Sequence, residues 1–297
     1  MKITIDAKAG FCWGVVRTIN ITEDSLKKAK NKKTYVLGDI IHNPKEIERL
    51  KNLGLETITH YDFERIKDEN AQVIIRAHGE PPSTYKKAEE LGLNLIDATC
   101  PLVTKLQDRI RKHYLEGWQV VIYGKKEHPE VIGLNGVCDN KAIIVTSLEE
   151  ALKYVDLTKK TILFTQTTMD KRKYFEIRDA LQKEVEQFIE AGDIKEQFLA
   201  KDSICHFVYS REDNLREFSK NNDVVIFVAG RSSSNGKSLY NICKQENNKC
   251  YFIEDLNDID FSWFDKAETI GITGATSTPQ WFLEKVKDFL EEKLIMV

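Results

Sequence analysis

The fold is decided by the pattern of Val73-Ile-Ile-Arg-Ala-His-Gly-Glu-Pro-Pro82, in which an apolar run leads through a polar turn to a helix-like stretch ending near Leu91. A β-branched run of this kind predicts a buried strand, and proline after a polar turn is typical of a first helical turn. The same order recurs in runs that begin at Tyr35, Val120, Thr161, Val224 and Thr269. This alternation predicts parallel βα units and therefore an α/β protein.

Three cysteines divide the chain into comparable parts. Cys12, Cys100 and Cys205 each follow a short apolar run, and each begins the same succession of elements. Polar loops follow 30 and 66 residues after the first cysteine, 28 and 67 after the second, and 28 and 72 after the third. Spacings of 88 and 105 residues between the cysteines are too long for solenoid repeats. We therefore expect three small domains about a pseudo-threefold axis, which would bring the three thiols together.

The cysteines also set the predicted domain boundaries. The first α/β domain is expected at residues 14–99 and the second at residues 100–201. Residues 202–285 together with 1–13 would form the third, because the strand near residues 3–5 could complete its sheet, and residues 286–297 would form a C-terminal tail.

Composition excludes several classes of function. The 297 residues carry a formal net charge of −3, with lysines spread along the chain, so no broad basic face for nucleic acid is expected. No stretch reaches the roughly 18 apolar residues that a membrane span requires, and the first residues form no signal peptide. We therefore predict a cytoplasmic protein. Its six cysteines, none in a Cys-x-x-Cys motif, favour neither a disulfide framework nor a local zinc knuckle.

The thiols of Cys12, Cys100 and Cys205 could bind a metal. Zinc would need a histidine or water as a fourth ligand, whereas a [4Fe–4S] cluster with three cysteines would keep one iron open. Residue chemistry alone leaves both alternatives. Cys243 and Cys250 lie in a helix pattern and a strand, so we expect them to be small buried side chains, and Cys138 receives no assignment.

Polar loops at strand ends supply candidate ligand-binding residues. His42, His78 and His128 occupy such loops in the first two domains, and hydroxyl-rich loops replace them in the third. Members of those loops are Ser233, Ser234, Asn235 and Ser277. Some of these residues are expected to be helix N-caps. Together they offer neutral or switchable donors at helix N-termini, an arrangement that suits a diphosphate.

Glu130 follows His128 by two residues, in His128-Pro-Glu. It could be an ordinary partner of a helix dipole. If it instead faces the thiols in a pocket without a cation, desolvation would raise its pKa and make it a proton donor. Thr167 and Thr168 could then orient the proton path.

In these residues the chain resembles the 4-hydroxy-3-methylbut-2-enyl diphosphate reductases, the LytB family, whose reaction is the last step of the non-mevalonate isoprenoid pathway. The matching segments run in the family's order along nearly the whole chain. They are Gly10-Phe-Cys-Trp-Gly-Val, His42-Asn, Ala77-His-Gly, Asp97-Ala-Thr-Cys-Pro-Leu-Val, His128-Pro-Glu, Thr165-Gln-Thr-Thr, Ser233-Ser-Asn and Ala275-Thr-Ser-Thr-Pro.

The resemblance implies a function and a site. Three α/β domains would surround one [4Fe–4S] cluster held by Cys12, Cys100 and Cys205, with one iron open to the substrate hydroxyl. Glu130, Thr167 and His128 would serve catalysis by delivering protons and lining the pocket. The diphosphate of a small allylic substrate would be bound by His42, His78, His128, Ser233, Ser234, Asn235 and Ser277. The products would be isopentenyl and dimethylallyl diphosphates, and a ferredoxin or flavodoxin would supply electrons.

One segment departs from the family pattern, and two alternative functions remain. Val208 stands where the family commonly has threonine, so a hydroxyl near the site is missing. A three-cysteine dehydratase or a quinolinate-synthase-like enzyme would need carboxylate-binding arginines, and the proposed loops contain only Arg76 and Arg231. A non-catalytic metal or redox sensor would use the thiols but would leave Glu130 and the diphosphate loops unexplained.

Overall fold

The structure, a computed structural model, describes residues 1–187 and 193–294. Residues 188–192, which belong to the predicted second domain, and residues 295–297, the end of the predicted tail, lie outside the described residues. The strands of the described residues are β1 (Lys2–Ile5), β2 (Lys33–Leu37), β3 (Leu55–Ile58), β4 (Ala71–Ile75), β5 (Asn94–Asp97), β6 (Gln119–Tyr123), β7 (Ile143–Val145), β8 (Thr161–Thr165), β9 (Phe198–Ala200), β10 (Val224–Val228), β11 (Cys250–Ile253) and β12 (Thr269–Gly274).

Helices alternate with these strands. They are α1 (Trp13–Lys28), α2 (Pro44–Asn52), α3 (Phe63–Ile66), α4 (Pro82–Glu90), α5 (Pro101–Leu115), α6 (Pro129–Gly136), α7 (Leu148–Tyr154), α8 (Lys171–Glu186), α9 (His206–Tyr209), α10 (Arg211–Lys220), α11 (Ser234–Glu246) and α12 (Gln280–Leu294). Proline begins α2, α4, α5 and α6, where its missing N–H costs no helical hydrogen bond. Helix α12 extends across the predicted boundary between residues 285 and 286.

The strands form three four-stranded sheets with one shared topology. The first sheet has the order β3-β2-β4-β5, the second β7-β6-β8-β9, and the third β11-β10-β12-β1. In the first two sheets the second strand along the chain lies outside the first, and the third and fourth follow on the other side. The third sheet has the same arrangement, with β10, β11 and β12 as its first three strands and β1 in the fourth place. The pairs β2/β4, β4/β5, β6/β7, β6/β8, β8/β9, β10/β11, β10/β12 and β1/β12 are parallel. The predicted α/β class with mainly parallel sheets is therefore confirmed.

Strand β1 takes the fourth place in the third sheet. It pairs with β12 in parallel, with Lys2 opposite Thr269 and Ile5 opposite Ile272. The N-terminus thus supplies the strand that β5 and β9 supply in the other two sheets. As a result, Cys12 follows a fourth strand, as Cys100 and Cys205 do.

The chain divides into two compact units. One unit, here called the N/C unit, contains Met1–Lys30, Asp39–Thr57 and the described residues from His206 onward. It holds the third sheet and α2. The other, here called the middle unit, contains Asn31–Gly38 and the described residues of Ile58–Cys205. It holds the whole second sheet and the first sheet apart from most of β3.

Helix α12 shows how the helices attach to the sheets. Its buried side chains recur at helical spacing and form one apolar face against the third sheet. The face consists of Phe282, Leu283, Val286 and Leu290, which share a core cluster with Ile226 and Ile272. Truncating such a buried leucine to alanine costs about 2–5 kcal/mol. In the described part of the chain, no helix is long and apolar enough to cross a membrane.

Candidate functional site

The three cysteines occupy equivalent positions in the three sheets. Each lies between the fourth strand of its sheet and the next helix. Cys12 is the N-cap residue of α1, Cys100 is the N-cap residue of α5, and Cys205 directly precedes α9. All three are half-buried. The thiols therefore stand at helix N-termini, where the backbone favours negatively charged groups.

Backbone hydrogen bonds repeat this equivalence. The amide of Cys12 donates to the carbonyl of Thr276 over 3.1 Å, that of Cys100 to Ala77 over 3.0 Å, and that of Cys205 to Thr167 over 2.9 Å. Each acceptor lies two residues after the third strand of its own sheet. The same loop position thus fixes each cysteine.

Glu130 lies on the first turn of α6 in the middle unit and is buried, with 2% of its surface exposed. Its Oε1 accepts a hydrogen bond from the amide of Thr167 and its Oε2 accepts one from the Thr167 hydroxyl, both over 2.7 Å. Burial raises the pKa of Glu130, and the two hydrogen bonds from Thr167 offset part of that rise. The carboxyl group is thus held in place in surroundings that favour its protonated form.

Two histidines lie close together in the middle unit. The rings of His78 and His128 are 5.3 Å apart at their centroids and meet edge to face at 84°. His128 is the N-cap residue of α6, and its Nδ1 accepts a hydrogen bond from the amide of Glu130 over 3.2 Å. Because Nδ1 accepts this hydrogen bond, the proton of a neutral His128 ring lies on Nε2.

Glu80 is a buried carboxylate that the sequence analysis missed. It follows His78 by two residues, the same spacing that relates Glu130 to His128, and this spacing could have revealed it. Its surroundings differ, because His60 Nε2 lies 3.0 Å from one of its oxygens and Arg76 Nη2 lies 3.6 Å from the other. In the described residues no salt bridge reaches Glu130. Glu80 therefore anchors the loop that carries His78, whereas Glu130 can hold a proton.

In the N/C unit, the hydroxyl-rich loops meet at the start of α11. Ser233 is the N-cap residue, and its Oγ accepts a hydrogen bond from the amide of Gly236 over 3.0 Å. The hydroxyl oxygens of Ser233 and Ser277 are 3.4 Å apart. Both side chains are buried, as are those of Ser234 and Asn235. The predicted N-capping is thus confirmed for Ser233, and its hydroxyl also belongs to a cluster of polar groups.

Asn235 is oriented within that cluster. Its Oδ1 accepts hydrogen bonds from the amide of Thr276 over 3.0 Å and from the Thr276 hydroxyl over 2.8 Å. Its Nδ2 is buried and, among the described residues, has no hydrogen-bond partner. The amide nitrogen is therefore a donor available to a ligand.

His42 lies in the loop before α2, in the same unit. The next residue, Asn43, caps α2 by accepting hydrogen bonds from the amides of Lys45 and Glu46. A Cβ atom at Gly230 would overlap the carbonyl oxygen of His42. Glycine at that position therefore lets the loop after β10 approach the histidine loop closely.

The remaining cysteines belong to the core. Cys243 and Cys250 are fully buried in one apolar cluster, which confirms their expected role. Cys138 is fully buried in another, and burial raises the pKa of its thiol to about 12. Val208, the departure from the family pattern, is a buried residue of α9.

The LytB protein family model matches residues 3–291, nearly the whole chain. The chain belongs to the LytB family. Two curated relatives named 4-hydroxy-3-methylbut-2-enyl diphosphate reductase come from Chloroherpeton thalassium and Chlorobium phaeovibrioides. The first is 44% identical over 307 residues, which cover 98% of this chain and 96% of that protein. The second is 45% identical over 315 residues, which cover 98% and 99%.

Two solved structures named as diphosphate reductases resemble the chain as well. One structure of (E)-4-hydroxy-3-methyl-but-2-enyl diphosphate reductase, described as the terminal enzyme of the non-mevalonate pathway, is 34% identical with a TM-score of 0.72 and covers 98% of this chain and 99% of that one. The reductase from Plasmodium falciparum is 28% identical with a TM-score of 0.85 and covers 98% and 88%. The predicted family is therefore confirmed by sequence and by fold.

Proposed function

We propose that the chain catalyses the reductive dehydroxylation of (E)-4-hydroxy-3-methylbut-2-enyl diphosphate to isopentenyl diphosphate and dimethylallyl diphosphate, the last step of the non-mevalonate pathway. Membership of the LytB family and the names of the relatives support this function. The structural observation that carries it is Glu130, a buried carboxyl that Thr167 holds from two sides.

Cys12, Cys100 and Cys205 are proposed to hold one [4Fe–4S] cluster. Their local structure fits such a group, because each cysteine directly precedes a helix. The first turns of α1 and α5 also contain no acidic residue that would repel a thiolate. Three cysteine ligands would leave one iron open. When bound, the cluster would relay electrons from the donor one at a time and would provide a Lewis-acidic site for the substrate hydroxyl.

The substrate's diphosphate is proposed to bind to neutral and switchable donors. Support comes from the buried hydroxyls at the start of α11 and from the available Nδ2 of Asn235. Hydrogen bonds to charged phosphate oxygens contribute about 1.5–3 kcal/mol each, and a helix N-terminus adds further attraction. The proposed set is His42, His78, His128, Ser233, Ser234, Asn235 and Ser277.

Glu130 is proposed to deliver protons, with Thr167 as its partner. The reaction consumes two electrons and two protons, breaks the carbon–oxygen bond of the hydroxyl, and releases water. One proton leaves with that oxygen and the other reaches a carbon of the allyl group. A carboxyl with a raised pKa is suited to the first transfer, and the Thr167 hydroxyl keeps it aimed. A ferredoxin or flavodoxin would supply the electrons that the reaction consumes.

The test compares the wild-type protein with Glu130→Gln, both purified without oxygen. The wild type should convert the hydroxymethylbutenyl diphosphate to both products when a reduced viologen supplies electrons, and its Mössbauer spectrum should show one distinct iron that changes on substrate addition. Glu130→Gln should keep the cluster and the substrate Kd but lose about 10²–10⁴-fold in turnover. Wild-type turnover in the variant would contradict the role assigned to Glu130. A wild type inert toward this substrate would overturn the function and favour a sensor.

A further inference from the structure

The carboxamide of Asn235 can face a ligand in one of two ways, and the hydrogen-bond network decides between them. Its oxygen accepts from both the backbone amide and the hydroxyl of Thr276, over 3.0 and 2.8 Å. The backbone amide of Thr276 can only donate. A flipped carboxamide would place its own NH₂ group against that donor and leave a buried N–H without an acceptor. Nδ2 is therefore the end that is offered to a ligand.

Burial strengthens this preference. Asn235 is 5% exposed and Thr276 is 8% exposed, so water cannot readily replace a lost hydrogen bond. Asn235 Nδ2 has no partner among the described residues, which is unusual for a buried amide nitrogen. A buried donor that is fixed in this way suits an acceptor oxygen of a ligand.

Thr276 also contacts the loop of the first cysteine. Its carbonyl oxygen accepts a hydrogen bond from the amide of Cys12 over 3.1 Å. One residue thus holds the Asn235 carboxamide with its amide and hydroxyl and holds the Cys12 backbone with its carbonyl. The next residue, Ser277, lies beside the N-cap Ser233. All five residues lie in the N/C unit.

We propose that Thr276 is a positioning residue for substrate binding: it orients the Asn235 carboxamide so that Nδ2 donates to an oxygen of the substrate's diphosphate. Thr276 does not itself contact the substrate. This inference rests on the proposed function, since it takes the ligand to be a diphosphate.

The first test compares Thr276→Val with Thr276→Ser in the cluster-loaded protein. Valine has nearly the shape of threonine but lacks the hydroxyl, whereas serine keeps it. The Kd of inorganic diphosphate, measured by calorimetry, should rise about tenfold in Thr276→Val, equivalent to about 1.4 kcal/mol. The Kd in Thr276→Ser should stay close to the wild-type value. With substrate, KM should rise in Thr276→Val more than kcat falls, and the iron content should match that of the wild type.

A second pair of variants tests the orientation even if Thr276→Val folds poorly. Asn235→Asp keeps an oxygen for the two Thr276 donors but places an anionic oxygen where Nδ2 was, whereas Asn235→Ala only removes the donor. The Kd of diphosphate should therefore rise at least tenfold more in Asn235→Asp than in Asn235→Ala.

The outcomes separate the inference from the function. Three results would each overturn the positioning role. One is a wild-type Kd of diphosphate in Thr276→Val, and another is an equal rise of that Kd in Thr276→Val and Thr276→Ser. The third is an Asn235→Asp variant that binds diphosphate as well as Asn235→Ala does. A wild-type protein that binds neither inorganic diphosphate nor the substrate would instead overturn the proposed function.

Discussion

The buried ion pair between Asp6 and Arg211 leads to a sharp prediction about stability. Asp6 follows β1, and Arg211 begins α10 in the same unit. Arg211 Nη1 donates to Asp6 Oδ2 over 3.0 Å, and the Thr273 hydroxyl donates to the same oxygen over 2.8 Å. Both charged residues are 6% exposed. The pair therefore joins the strand before Cys12 to the helix after Cys205 in a place where water screens neither charge.

The perturbation is Asp6→Ala. It would leave the Arg211 guanidinium buried, with the Thr273 hydroxyl and the Gly274 carbonyl as its remaining neutral contacts. Removing one member of a buried ion pair typically costs about 3–5 kcal/mol, because the other charge is left without compensation. For a chain of this size each kcal/mol lowers the thermal midpoint by roughly 2 °C. We therefore expect the midpoint of unfolding to fall by roughly 6–10 °C.

The control is the double variant Asp6→Ala/Arg211→Met, which removes both charges and fills part of the space with an apolar chain. Its midpoint should be higher than that of Asp6→Ala, because the uncompensated charge has gone. Circular dichroism measured during heating gives both midpoints. A loss below about 2 °C in Asp6→Ala, or a double variant less stable than the single variant, would refute the assignment of the loss to a stranded charge.

Three further predictions concern the site. The pKa of Glu130 is raised in the folded protein, so the wild type should lose stability as pH rises through that pKa. Glutamine does not titrate, so the thermal midpoint of Glu130→Gln should rise relative to that of the wild type from pH 4 to 8. A constant difference between the two midpoints would contradict the burial effect. Gly230→Ala should cost about 1–3 kcal/mol and raise the Kd of diphosphate, because its Cβ would displace the His42 loop; an unchanged Kd would separate that loop from binding. Cys100→Ser should lose iron, and it should unfold no earlier than the cluster-free wild type, since serine is a better N-cap; full iron content would contradict its role as a ligand.

The sequence predicted the long strands and the class of the fold because their β-branched runs are visible locally. Strand β7, of three residues, was not predicted, since such a short run shows no periodicity and forms through pairing with a distant partner. The fourth place of β1 in the third sheet could be anticipated only because the repeat lacked a strand. The positions of the domain boundaries stay predictions.

For the candidate site, the sequence offered residue types but not the surroundings of each side chain. Glu80 and Glu130 share their spacing from histidine, yet Arg76 and His60 accompany the first and not the second. That difference depends on which side chains the fold brings to each carboxyl, and the sequence pattern carries no record of it. Likewise, the bond between Thr276 and Asn235 joins residues 41 positions apart.

The loop after the third strand of each sheet both holds a cysteine and carries a side chain of the proposed site. The carbonyl of the second residue after the strand accepts a hydrogen bond from the cysteine amide. The side chain of that residue or of the next one belongs to the proposed site. These side chains are His78, next to Ala77, Ser277, next to Thr276, and Thr167 itself. Each cysteine is therefore connected to a polar group of the proposed site through one backbone hydrogen bond and at most one further residue. This main-chain spacing does not depend on the surrounding side chains, so each thiol and its neighbouring polar group should keep their separation when those side chains are substituted.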